Sequence, residues 1–177
     1  MSREVVDLFA LAAPEGSGRN PTQPRQVSGR RALSGFSRLI EGLPPQADSQ
    51  VQWSLQGEGT TAGRRFIEVR AHAEVTLECQ RCLQPFVLPL RVENRLEVVR
   101  SPTELEDDDE TERIVGSPKF DVLELIEDEL ILSLPSVPKH DVCTSLPGGP
   151  EPADQPDEEA ARPSPFAALE KLKKDQN

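Results

Sequence analysis

Cys79-Gln80-Arg81-Cys82 and His140-Asp141-Val142-Cys143 hold all three cysteines and one of the two histidines of this 177-residue chain. Two thiols three positions apart can share a metal ion, close a disulfide or cycle between the two as a redox centre. Tetrahedral Zn²⁺ takes two thiolates readily from a tight CxxC turn, so Cys79 and Cys82 form a zinc half-site. His140 and Cys143 supply an HxxC second half, provided that the chain returns to the first. A thioredoxin-like centre belongs between a strand and a helix in a βαβ unit. Arg81 favours the thiolate by its charge and serves the metal and redox readings equally.

Other catalytic equipment is sparse. His72, the remaining histidine, falls on the polar side of an alternating run, where a lone surface residue is the ordinary expectation. No GxSxG, P-loop or GxGxxG pattern occurs, and Gly16-Ser17-Gly18 lacks the further spacing. Carboxylates abound at 106–110 and 124–129, but the first group reads as a loop and the second as an outward helix face. Acid–base catalysis needs two of them in a dry cleft. The expectation is a binding protein and not an enzyme.

The elements that must position the cysteines are legible by period. Val51, Trp53 and Leu55 alternate with polar residues, and a turn is expected over 57–63. Ile67, Val69, Ala71, Ala73, Val75 and Leu77 then share one face of a long strand, with Glu68, Arg70, His72, Glu74, Thr76 and Glu78 on the other. Phe86, Leu88, Leu90, Val92, Leu96 and Val98 continue the period, opposed by Arg91, Glu93, Arg95 and Glu97. The CxxC therefore caps a long hairpin, and parity sends Cys79 to the apolar side.

Around this hairpin, a strand is expected from Arg25 to Ala32. A short helix is expected over Leu33–Leu43 from Phe36, Leu39, Ile40 and Leu43, closed by Pro44-Pro45. A second runs from an Asp121 N-cap to Leu134, with Glu124, Glu127, Asp128 and Glu129 turned mostly outward. The whole is an α+β domain over 27–143: an antiparallel β-sheet built on the hairpin and flanked by two or three short helices. Residues 1–26 read as an extended N-terminal segment. Ser101 to Glu112 reads as a solvated loop, and 144–163 as a disordered acidic linker. Residues 164–177 read as a short amphipathic helix with Phe166, Leu169 and Leu172 on one face. That stripe either docks on its own domain or folds onto a partner.

Composition sets the limits. With 36% hydrophobic residues, 4% aromatic and seventeen prolines, the chain supports one modest aliphatic core with tails. No run approaches the length of a membrane span, and Asp7 and Pro14 interrupt any export signal. Three cysteines without such a signal point to a reducing, cytoplasmic setting. The net charge of −11 is uneven: residues 1–100 carry 13 Arg against 11 acids, whereas 101–177 carry 7 basic and 20 acidic side chains. Bulk charge does not draw this chain to nucleic acid, because phosphate contacts need local cations. An arginine-bearing body can still touch RNA, and acidic tails can contact a basic protein or simply keep the chain in solution.

Three stretches taken in order, Leu77-Glu78-Cys79-Gln80-Arg81-Cys82, the run from Glu127 through Ser133-Leu134-Pro135-Ser136-Val137-Pro138 to Asp141, and Pro163-Ser164-Pro165-Phe166-Ala167-Ala168-Leu169, resemble the large ribosomal RNA subunit accumulation protein family, YceD, in its proteobacterial form. The resemblance implies a non-enzymatic cytoplasmic factor needed for synthesis, processing or stability of 23S ribosomal RNA. It further implies partners in 23S rRNA, its precursor, or a basic large-subunit ribosomal protein, with no membrane and no small-molecule substrate. Many relatives outside the proteobacteria carry a second CxxC near the position of Cys143, and this chain has His140 and Cys143 instead. On this reading Cys79, Cys82, His140 and Cys143 are the metal candidates, with Zn as the cofactor to test. Arg64, Arg65, Arg70, Arg81, Arg91 and Arg95 are the RNA-facing candidates, and Phe166, Leu169 and Leu172 the partner-facing ones. The competing class is a small zinc- or thiol-based sensor or adaptor without direct RNA contact.

Overall fold

A computed structural model describes residues 4–13, 25–59, 64–105 and 111–143. Five strands form the main sheet in the order β2 (Gln26–Ala32), β3 (Gln50–Gly59), β4 (Arg65–Glu78), β5 (Pro85–Val99) and β6 (Arg113–Val115). The strands from β2 to β5 pair antiparallel, as their alternating patterns require. The β4–β5 ladder runs from Phe66↔Glu97 to Glu78↔Pro85, so the CxxC sits at the tip of a thirteen-rung hairpin.

Apolar residues of odd number in β3 and β4, and of even number in β5, fall on one face. There Val51, Leu55, Ile67, Val69 and Val75 are fully buried. This inner face packs against three short helices: α1 (Leu8–Leu11), α2 (Ser37–Ile40) and α3 (Val122–Leu132). Val122, Leu125, Ile126 and Leu130 form the buried stripe of α3, and the Asp121 carboxylate caps it by accepting from the Leu123 N–H at 3.1 Å. The α+β class stands. No helix among the described residues is long and apolar enough to cross a membrane.

The structure departs from the sequence reading in five places. First, part of the N-terminal segment is helical: Asp7 caps α1, and Leu8, Leu11 and Ala12 enter the core. The backbone of Leu11 lies so close to β3 that a Cβ on Gly57 would meet its carbonyl oxygen at 1.8 Å. Val5–Val6 (β1) pairs with Phe120–Asp121 (β7) and ties this segment to the start of α3.

Second, the expected turn over 57–63 begins later, because β3 continues to Gly59. Third, Leu33–Leu43 is a 3₁₀ turn (Leu33–Gly35) followed by the four-residue α2, with Phe36 between them fully buried as a core anchor. Fourth, Arg113–Val115 leaves the acidic loop to pair with β5 in parallel, Glu97↔Arg113 to Val99↔Val115, so the sheet is mixed at one edge. Fifth, two acids of α3 point inward: Glu127 and Glu129 are each 9% exposed, held by partners on other elements.

A candidate metal centre at the hairpin tip

The tip is built by local hydrogen bonding. Cys79 N–H donates to the Gln84 carbonyl at 3.0 Å, and Leu83 N–H donates back to the Cys79 carbonyl at 2.8 Å. Closing so tight a loop puts Leu83 in the left-handed region, φ 59°. The outcome is that both thiols turn inward: Cys79 is fully buried and Cys82 is 4% exposed.

The second half arrives from α3. Ser133 ends that helix, and a segment punctuated by Pro135 and Pro138 and bent at Leu134, Ser136 and Val137 brings the chain back to the tip. There the Gln80 N–H donates to the Pro138 carbonyl at 2.9 Å. The His140 ring packs against Phe86 with 4.8 Å between centroids, and its backbone N–H donates to Cys79 Sγ at 3.4 Å. Cys82 Sγ then lies 3.3 Å from His140 Nδ1, and Cys79 Sγ lies 3.7 Å from Cys143 Sγ. All four ligand atoms fall within 4.8 Å of one another. The four residues named from sequence are thus brought together.

These distances restrict the chemistry. The three cysteines are free thiols. Sulfurs bound at about 2.3 Å to a tetrahedral ion stand roughly 3.8 Å apart, against about 2.05 Å in a disulfide. The 3.7 Å gap between Cys79 and Cys143 matches both the spacing of two ligands on one ion and a thiol–thiol contact, and it is too long for a disulfide. Three thiols and one imidazole match the Cys₃His set of structural zinc sites, which would leave a tetrahedral ion no open position for a reactive water. Burial opposes ionisation of Cys79. The backbone N–H groups of His140, Cys82 and Arg81 overcome it and draw the thiol down to about 5. Cys143 is pushed up to about 11 by its burial and by the neighbouring Cys79 and Cys82. A divalent cation would discharge that mutual repulsion.

The arginine candidates divide by their neighbours. Arg64 donates to Glu97 through Nε at 2.7 Å. Arg70 is held by Glu68 and Glu93. Arg95 pairs with Glu58 at 2.8 Å and lies 3.8 Å above the Phe66 ring. Arg65 is half-buried at the start of β4, its Nε without a hydrogen-bond partner among the described residues. Arg81 and Arg91 alone of the six are exposed with no ion pair among the described residues. Phe166, Leu169 and Leu172 lie outside the described residues. Sequence reasoning passed over Arg30 and set His72 aside; both share a cross-strand row with Arg91, a relationship that only the strand register reveals.

Comparison with known proteins agrees with the cysteine and C-terminal motifs. The chain is 35% identical over 109 residues to the large ribosomal RNA subunit accumulation protein YceD of Haemophilus influenzae, an alignment covering 59% of this chain and 63% of that protein. No solved structure matches it. The family model described as large ribosomal RNA subunit accumulation protein YceD matches residues 67–173, from β4 through the cysteine–histidine cluster to the C-terminal segment. The chain belongs to the YceD family.

Proposed function

We propose that this chain is a non-enzymatic cytoplasmic factor that supports accumulation of large-subunit (23S) ribosomal RNA by binding, with a structural Zn²⁺ clasping its hairpin tip. Cys79, Cys82, His140 and Cys143 hold the ion. Bound there, it supplies cross-linking alone, fixing the 135–143 segment onto the β4–β5 tip. The observation that carries this reading is the convergence of four ligand atoms within 4.8 Å from segments about sixty residues apart, inside the stretch that matches the family.

The chain's own residues prepare the site. The His140 N–H on Cys79 Sγ stabilises a thiolate, Phe86 orients the imidazole, and burial of Cys79 and Cys82 keeps solvent from the thiols. Partner binding falls to exposed arginines of the body and to the 164–173 segment with Phe166, Leu169 and Leu172. RNA, or a basic ribosomal protein, is the direct partner.

Two measurements test the reading. Native mass spectrometry should find one zinc per chain, lost in Cys82→Ser. A metal-free protein that cycles a Cys79–Cys82 disulfide would replace the structural ion with thiol sensing. Sucrose-gradient analysis of cells should place the protein with large-subunit precursors; its absence from every ribosomal fraction would overturn the biogenesis role.

A further inference from the structure

On the outer face of the sheet, opposite the helices, three arginines are neutralised by carboxylates, while Glu74 is exposed with no ion pair among the described residues. Arg70 lies between Glu68 and Glu93, Arg95 on Glu58, and Arg64 on Glu97. Beside these pairs runs one register row: Arg30 on β2 faces Gln52 on β3, Gln52 faces His72 on β4, and His72 faces Arg91 on β5. Arg30, Gln52 and Arg91 are exposed and His72 is half-exposed. The row contains no carboxylate, and neither arginine has an ion pair among the described residues. In a chain of net charge −11, two arginines in one cross-strand row without an ion pair are a local excess of positive charge.

The row also borders a recess. An open depression of about 470 Å³ crosses β3, β4 and β5, with Gln52, Ser54, Arg70, His72, Arg91 and the carboxylate of Glu93, which pairs with Arg70, on its wall. Three strand spacings separate the backbones of Arg30 and Arg91, roughly 14 Å. Two guanidinium forks at that separation, with an amide and an imidazole between them, offer donors to phosphates a few nucleotides apart. No Phe or Trp side chain stands in the row, so base stacking is left to the His72 imidazole alone. The ligand chemistry is that of a sugar–phosphate backbone, taken without regard to sequence.

We propose that the Arg30–Gln52–His72–Arg91 row is the chain's phosphodiester-binding site and seats single-stranded RNA across the open face of the sheet. This rests on the reading of the chain as a ribosomal-RNA factor and specifies where the RNA lies. The neutralised arginines Arg64, Arg70 and Arg95 are then structural, and Arg30 and Arg91 carry the contact.

Fluorescence anisotropy of the full chain with a labelled mixed-sequence 20-nucleotide RNA tests it across a salt series. Arg30→Ala/Arg91→Ala should weaken binding by at least tenfold at low salt. Its log–log salt slope should shrink by about 1.4, the loss expected for two single-strand phosphate contacts. Arg30→Lys/Arg91→Lys should keep the slope. Glu93→Gln, which removes the nearest carboxylate of the neighbouring row, should tighten binding about two- to threefold. Thermal melts of each variant should match the parent, because all these side chains are exposed. An unchanged affinity in the double alanine variant overturns the row, as does displacement of the RNA by polyglutamate at equal charge concentration, which would make it a docking face for acidic protein. If the double variant still sediments with large-subunit precursors, the row fails while the biogenesis role stands. If the parent chain itself does not, the role fails first.

Discussion

The carboxylate of Glu127 on α3 accepts the backbone N–H groups of Arg38 at 2.8 Å and Leu39 at 3.2 Å, while the Arg38 guanidinium returns a hydrogen bond to the same carboxylate at 3.0 Å. Helix α2 is only four residues long, and Phe36, at its N-cap position, makes no side-chain cap. A residue 89 positions away therefore supplies the cap, and a negative charge at the positive end of the helix, that the local sequence lacks. Asp128 adds a second contact to Arg38 at 2.7 Å.

Glu127→Ala should accordingly destabilise the fold by about 2–3 kcal/mol, because it leaves two N–H groups unpaired, that of buried Leu39 among them. Glu127→Gln keeps an acceptor for both N–H groups and loses only the charged fork, so about 1 kcal/mol is expected. Urea midpoints at constant m-value check the pair. Equal losses for the two would show that the cap itself contributes little.

Leu83 offers a change in the other direction. Its φ of 59° is unfavourable for any residue with a Cβ, by about 1–2 kcal/mol, and its side chain is 56% exposed with little packing to lose. Leu83→Gly should therefore raise stability by about 0.5–1 kcal/mol after the added unfolded-state entropy of glycine is deducted. Leu83→Val, β-branched at the same φ, should lower it. A thermal melt that ranks valine above glycine would mean the tip relaxes away from the left-handed conformation.

Two buried carboxylates should give stability opposite pH dependences. Arg64 and, after it, Arg113 hold Glu97 below the ordinary carboxylate range, so the folded state releases its proton more readily than the unfolded chain. Its contribution is present above about pH 4.3 and is lost as pH falls through the lower folded value. Glu129 is raised, first by burial and then by the charges of Glu112 and Asp128, against the hydrogen bond from Asn94. The folded state holds that proton more tightly, so ionising Glu129 erodes stability as pH climbs from about 4.3 through its folded value. Glu129→Gln should match the parent at pH 4 and exceed it by about 1 kcal/mol at pH 7. Glu97→Gln should lose about 1 kcal/mol at pH 7, a figure kept small by the exposure of Arg64, and converge with the parent as pH falls through the lowered folded value. Parallel pH profiles for the two variants would contradict the assignment.

The hairpin and the meeting of the four Cys and His residues were readable because each rests on a short-range rule. Period-two alternation needs only consecutive residues, and CxxC with HxxC needs only the premise that thiols seek company. Proline-bounded segment 135–138 even marked where the chain turns back. What escaped depended on register and distance. The inward turn of Glu127 answers N–H groups 88 and 89 residues earlier. The three-residue β6 has no period to detect and takes its place through parallel pairing with β5. The sorting of arginines into paired and unpaired needs to know that Arg70 faces Glu93 while Arg91 faces His72. Alternation names the face of a strand, and only pairing names the neighbour across it.

Removal of the metal should loosen the tip and leave the sheet intact. Among the described residues, the 138–143 segment is joined to the tip by the hydrogen bond from the Gln80 N–H to the Pro138 carbonyl, by the His140 N–H to Cys79 Sγ, by the Phe86 ring contact and by the ligand atoms themselves. Those contacts are few, whereas Val75 and Leu90 sit in the buried core of a long ladder. After exhaustive chelation, amide exchange at Gln80 and His140 should accelerate by at least tenfold, with protection at Val75 and Leu90 unchanged. Cys82→Ser and His140→Ala should reproduce the effect without chelator, and exposed Val142→Ala should not. Because metal binding requires deprotonated ligands, the protected state should also be lost on acidification. Exchange at Gln80 and His140 that ignores both chelator and acid would mean that the thiols and imidazole pack as a metal-free cluster, and the clasp would then be a matter of hydrogen bonding alone.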